Sequence, residues 1–128
     1  MKTEAIFNED LHFEHEQWRR ELLFWEDELK FFQKRLEELI KRWTGSEVLS
    51  EIEQYQNHFF IHSTKIDELK EGIHGHEMNM AAHERAHEVV LNREHFKQHL
   101  EHREKMDTQR DMYNDLKKRF FRFLSKNM

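Results

Sequence analysis

Core-type positions recur at alternating steps of four and three residues along the first third of the chain: Leu11, His15, Trp18, Leu22, Trp25, Leu29, Phe32, Leu36, Leu39 and Trp43. This is the 3.5-residue period of helices that pack along a seam. It predicts a helix over about residues 10–43, capped by Asn8 or Asp10 and preceded by a short arm. Leu23, Phe24, Phe31 and Ile40 widen the apolar stripe, which predicts packing against more than one neighbour. Thr44-Gly45-Ser46 reads as a tight connection, with Gly45 suited to a left-handed helix end and Ser46 to the next N-cap.

The same period continues through Val48, Ile52, Tyr55, Phe59, His62, Ile66, Leu69, Ile73, His76, Met80, His83, His87 and Val90. It predicts a second helix over about 46–88, folded back on the first. Gly72 and Gly75 leave the phase unchanged but mark a possible kink or break at 72–76, each costing about 1 kcal/mol relative to alanine. A turn near 89–92 would lead to a third helix over about 93–126. Its inward set is read as Phe96, Leu100, Met106, Tyr113, Leu116, Phe120, Phe123 and Leu124, with a polar middle at Arg103 and Arg110. The expected fold is all-α: a single domain over 1–128, built as an elongated antiparallel bundle of three long helices with coiled-coil-like packing. At 1.5 Å per residue the first and last helices would each be about 50 Å long.

Composition agrees with helices and narrows the chemistry. The chain of 128 residues has no proline, three glycines and 37% charged residues, too few turn-makers for an all-β fold. It has no cysteine, so any metal would be held by imidazole and carboxylate. No run of 18 apolar residues suggests a transmembrane segment and no apolar leader opens the chain, so a cytoplasmic location is expected. The formal charge of −5 argues against a nucleic-acid partner near neutral pH, and becomes net positive if the eleven histidines protonate.

Seven of those histidines lie between His74 and His102. Three HxxxH pairs occur, His58 with His62, His83 with His87, and His95 with His99, each stacking two imidazoles one turn apart on one helix face. Folding the chain about residues 45 and 91 would bring His12, His15, His74, His76 and Glu77 to the same end as His83, His87, His95 and His99. His15, His62, His76, His83 and His87 also occupy seam positions where Leu or Ile would pack best, and buried imidazoles without partners are costly. ExxH elements at Glu9-His12, Glu71-His74 and Glu84-His87 add carboxylates at ligand spacing. With this much His and Glu, such spacings also arise by chance.

His83-Glu84-Arg85-Ala86-His87 resembles the HExxH motif of zinc metallopeptidases, which implies His83 and His87 as zinc ligands and Glu84 as the group that activates water. The sequence departs from that family at Arg85, where an uncharged residue is usual, and lacks the HxxGxxH extension, having Val90 and Arg93 there. The scattered HxxxH pairs resemble the hemerythrin-type di-iron bundle, but four helices of the expected length cannot be aligned. The whole chain is similar to short uncharacterised all-helical proteins of Bacteroidetes bacteria, a resemblance that implies a helical fold and no activity.

Two functional readings compete. In the first, a non-catalytic bundle binds zinc, nickel, copper or iron through His83 and His87, with His95, His99, His12, His15 and His76 as candidates for the remaining positions and Glu84 as a ligand or base. In the second, the chain is a structural or interaction module without metal, whose seam histidines are packed polar groups or a pH-sensitive element. Either way the wide stripe at Leu23, Phe24 and Phe31 suggests a homodimer or a helical protein partner. The basic, aromatic end LKKRFFRFLSKNM reads as core residues flanked by cations that suit a helix C-terminus.

Overall fold

A computed structural model describes the backbone of residues 2–43, 45–86 and 91–127 and the side chains of 9–43, 45–82 and 94–127. Three helices account for the described backbone: α1 (Lys2–Arg42), α2 (Ser46–Ala86) and α3 (Leu91–Asn127). Helix α1 therefore starts eight residues before the position expected from its caps, and the presumed arm is helical. Helix α2 is continuous through Gly72 and Gly75, so the break considered at 72–76 is absent. Of the turn expected near 89–92, residues 89 and 90 lie outside the described residues, while Leu91 and Asn92 already belong to α3.

Cross-helix contacts give an up-down-up path. His12 meets Glu77 while Glu26 meets Lys70, so α1 and α2 are antiparallel. Glu14 meets Arg103 while Trp43 meets Asn127, so α1 and α3 run the same way. At the α1–α2 connection the carbonyl of Gly45 accepts the Leu49 N–H at 3.1 Å. That bond puts Gly45 at the N-cap and makes Ser46 the first helical residue, one step earlier than expected.

The seam of α1 is buried as its period requires: Leu11, His15, Trp18, Leu22, Trp25, Leu29, Phe32, Leu36 and Leu39 are all inside, with Trp43 partly covered. Helix α2 contributes Ile52, Phe59, His62, Ile66, Leu69, Ile73, His76 and Met80. Helix α3 differs from expectation. Phe96 and Leu100 are 37% and 40% exposed, and the buried series is His95, His99, Met106, Gln109, Tyr113, Leu116, Phe120, Phe123 and Asn127, with His102 half-buried between. Counting His102, this is an unbroken alternation of four and three. The third seam is thus as regular as the first, with polar side chains standing where apolar ones would reveal it.

The register of α1 against α3 is held by a ladder of ion pairs. Glu14, Glu21 and Glu28, seven residues apart on α1, bind Arg103, Arg110 and Lys117, seven apart on α3. Equal spacing on parallel helices repeats the same pairing each heptad, as flanking charges do in coiled coils. Each half-exposed pair contributes little stability, on the order of 0.2–1 kcal/mol; a slip of three or four residues would break all of them, whereas a one-heptad slip would re-pair two and lose one. At the turn end, rings of Phe32, Tyr55, Phe59, Phe120 and Phe123 pack with centroids about 5–6 Å apart. The opposite end of the seam carries the histidines. Leu23, Phe24, Phe31 and Ile40, expected to serve further packing, stay exposed. Among the described residues no helix is long and apolar enough to cross a membrane.

Candidate metal centre

Each helix delivers one imidazole to the same place. His15 follows Leu11 in the α1 seam, His76 follows Ile73 in α2, and His99 follows His95 in α3. They are 0%, 3% and 0% exposed. One ring nitrogen from each lies within 4.8 Å of the other two. His15 Nε2 is the hub, 3.2 Å from His76 Nδ1 and 3.0 Å from His99 Nδ1. Trp18 stacks on His99 with centroids 4.8 Å apart and rings 24° from parallel, flooring the site toward the apolar core.

The outer nitrogen of each ring is already committed. His15 Nδ1 donates to Glu77, which also accepts from His12 Nδ1 at 2.9 and 3.1 Å. His99 Nε2 donates to Glu14 at 2.5 Å, and Glu14 is gripped by Arg103 through Nε and Nη2. His76 Nε2 donates to the backbone carbonyl of His95 at 3.1 Å. A carbonyl or an ionised carboxylate can only accept, and a neutral imidazole carries one N–H. All three protons therefore point outward, and the lone pairs of His76 and His99 face that of His15 at 3.2 and 3.0 Å with no hydrogen between them.

The protonation states follow from the surroundings. Burial pushes the His76 imidazole down to about 4, helped by the neighbouring His15 and His102. Burial also lowers His15 and His99, against the pull of Glu77 and Glu14 in the other direction. Burial raises the Glu14 carboxyl, but hydrogen bonds from Arg103 and His99 more than reverse this, and it ends below its ordinary value. Glu77 behaves alike through His15 and His12. At neutral pH the centre is three neutral imidazoles flanked by two carboxylates.

Three such nitrogens could hold a metal ion. With bonds of 2.0–2.1 Å, tetrahedral zinc holds its nitrogens roughly 3.3–3.4 Å apart, close to the two spacings found here. A carboxylate or carbonyl on the far nitrogen fixes the tautomer and raises the basicity of a ligating imidazole. All three rings have such a partner.

Of the residues singled out from sequence, the fold brings His15, His76 and His99 together. His12 stands beside them, joined through Glu77. His95 packs against His76, with ring centroids 5.6 Å apart, and supplies its carbonyl. The side chains of His83 and Glu84, and the whole of His87, lie outside the described residues, so the HExxH motif has no geometry to report. The His58/His62 pair is elsewhere: His62 is buried midway along the bundle and accepts from Gln109 Nε2 at 2.9 Å. His74 is exposed. Glu14 and His102 were overlooked. The first could have been found from the seven-residue repeat Glu14, Glu21, Glu28, and the second from extending the His95, His99 step by three.

The chain matches no protein-family model, no curated protein and no solved structure.

Proposed function

We propose that this protein is a metal-binding three-helix bundle that holds one divalent transition ion on His15 Nε2, His76 Nδ1 and His99 Nδ1, in a binding rather than catalytic role. One observation carries the reading: three buried lone pairs meet while every outward nitrogen is bound to an acceptor. Three facing lone pairs repel one another, and a cation among them turns that repulsion into attraction. Zinc, nickel, copper and iron suit imidazole, whereas magnesium and calcium prefer oxygen.

The competing occupant is a proton, which would make the cluster a pH-sensitive packing element. The burial of all three imidazoles argues against it, because a lone imidazolium there is desolvated. Metal content measured by mass spectrometry on untagged protein, with zinc titration of the wild type and His99→Ala, separates the two. Stoichiometric metal, and a loss of more than about 100-fold in affinity in the variant, beyond the cost of an outer partner, supports the metal reading. A wild type that takes up no zinc, nickel, copper or iron leaves the proton.

Exposed Phe24 and Phe31 on α1 and Phe60 and Ile61 on α2 support self-association as a homodimer. Sedimentation equilibrium of the wild type against a Phe24→Glu/Phe31→Glu variant tests it, and a monomeric wild type would dismiss it.

A further inference from the structure

We infer that His102 is the fourth ligand of the centre, admitted by the notch at Gly72, so that the site is closed on four imidazoles. The inference rests on the three-histidine reading above. His102 stands three residues after His99 on the same α3 seam, and its ring centroid is 5.3 Å from that of His76. Its Nδ1 is buried and has no hydrogen-bond partner. A buried ring nitrogen left unsatisfied is costly, and this one borders a cluster whose other imidazoles all have their outer nitrogens occupied.

Gly72 explains how the ring fits. A Cβ at position 72 would stand 3.1 Å from His102 Cε1 and 3.7 Å from Nδ1. Any side chain at this position would make a contact tighter than ordinary packing, and the imidazole would have to give by a few tenths of an ångström. The glycine is helical and otherwise unfavourable there, so its role is the space it leaves. His102 stands outside the 4.8 Å group formed by the three nitrogens, and a rotation of its side chain into the cluster would add a fourth.

Closure has a chemical consequence. Sites with three protein ligands keep a position for water or substrate, whereas four-ligand sites are structural. A four-imidazole centre would hold its ion without presenting it for reaction.

The test uses cobalt(II) as a coloured stand-in for zinc, followed by visible absorption for wild type, His102→Ala and Gly72→Ala, with azide as a probe of an open position. The expected result is a wild-type spectrum insensitive to azide. His102→Ala should bind cobalt at least about 100-fold more weakly, above the 10–100-fold typical of losing an outer partner, and its spectrum should shift on adding azide. Gly72→Ala removes no imidazole and should weaken cobalt binding at unchanged helicity, which keeps the idea exposed to refutation if His102→Ala fails to fold. A wild-type spectrum that responds to azide, or full affinity in both variants, overturns the fourth ligand and leaves the three-histidine site intact. No cobalt binding by the wild type overturns both.

Discussion

Replacing His76 with leucine separates a metal site from a packing motif, because the two readings give opposite signs. His76 occupies a buried seam position of α2 where leucine fits the helical period and is similar in volume. In the metal-free protein its Nδ1 lone pair faces that of His15 at 3.2 Å, and its only hydrogen bond goes to the His95 carbonyl. As a helical carbonyl, that group keeps its backbone partner. Burying leucine is worth roughly 1.5–3 kcal/mol, a typical hydrogen bond about 1 kcal/mol, and relief of lone-pair contact adds to the gain. His76→Leu should therefore be more stable than wild type in chelator by about 1 kcal/mol, or roughly 4 °C in Tm for a chain of this length. In zinc the order should reverse: at 100 times Kd the wild type gains about 2.7 kcal/mol and the variant nothing. Thermal unfolding followed by circular dichroism, with EDTA or with zinc in excess, reads both arms. A variant less stable than wild type in EDTA would show that the imidazole holds the fold, and a zinc shift surviving in the variant would refute the ligand assignment.

Further outcomes follow from other parts of the molecule. Glu77→Gln should keep its helicity but bind zinc about 10–100-fold more weakly, since His15 loses the carboxylate that orients it; competition with a chromophoric chelator measures this. Glu21→Arg and Arg110→Glu should each cost about 1 kcal/mol, and their combination should recover part of it, a coupling that a urea double-mutant cycle would detect. Leu36→Ala, at a fully buried position near the turn end, should cost about 2–5 kcal/mol and leave zinc affinity unchanged. In chelator, acid should destabilise the protein. Burial holds His62 below its unfolded value of about 6.5, aided by His58 and Arg119, and His76 lies at about 4. A depressed imidazole leaves stability full above about pH 6.5 and loses it as pH falls toward the folded value. Urea midpoints flat down to pH 6.5 and declining below it are expected; a rise between 6.5 and 4 would contradict the burial argument.

The 3.5-residue period predicted the buried seam of α1 and, among the described residues, that of α2 from Ile52 to Met80 with Tyr55 only partly covered, because each contact along a long helix is dictated by local spacing. The absence of proline likewise favoured helices, and the absence of cysteine removed thiolate from the available ligands. The α3 seam was misread since polarity served as the guide: Phe96 and Leu100 look like core, while His95, His99, His102, Gln109 and Asn127 occupy the covered positions. Local order put His83 and His87 of the HExxH motif first and listed His95, His99, His12, His15, His76 and Glu84 behind them, but it could not choose among them, because imidazoles 61 and 84 residues apart meet only through the relative register of three helices. That register comes from packing and from the Glu14, Glu21, Glu28 ladder against Arg103, Arg110 and Lys117. Tertiary structure also assigned the protons, since the direction of each lone pair depends on which acceptor, Glu77, Glu14 or the His95 carbonyl, stands behind the ring. The sequence by itself determined three amphipathic helices and a surplus of histidine; which three nitrogens share one point was decided by how the helices align.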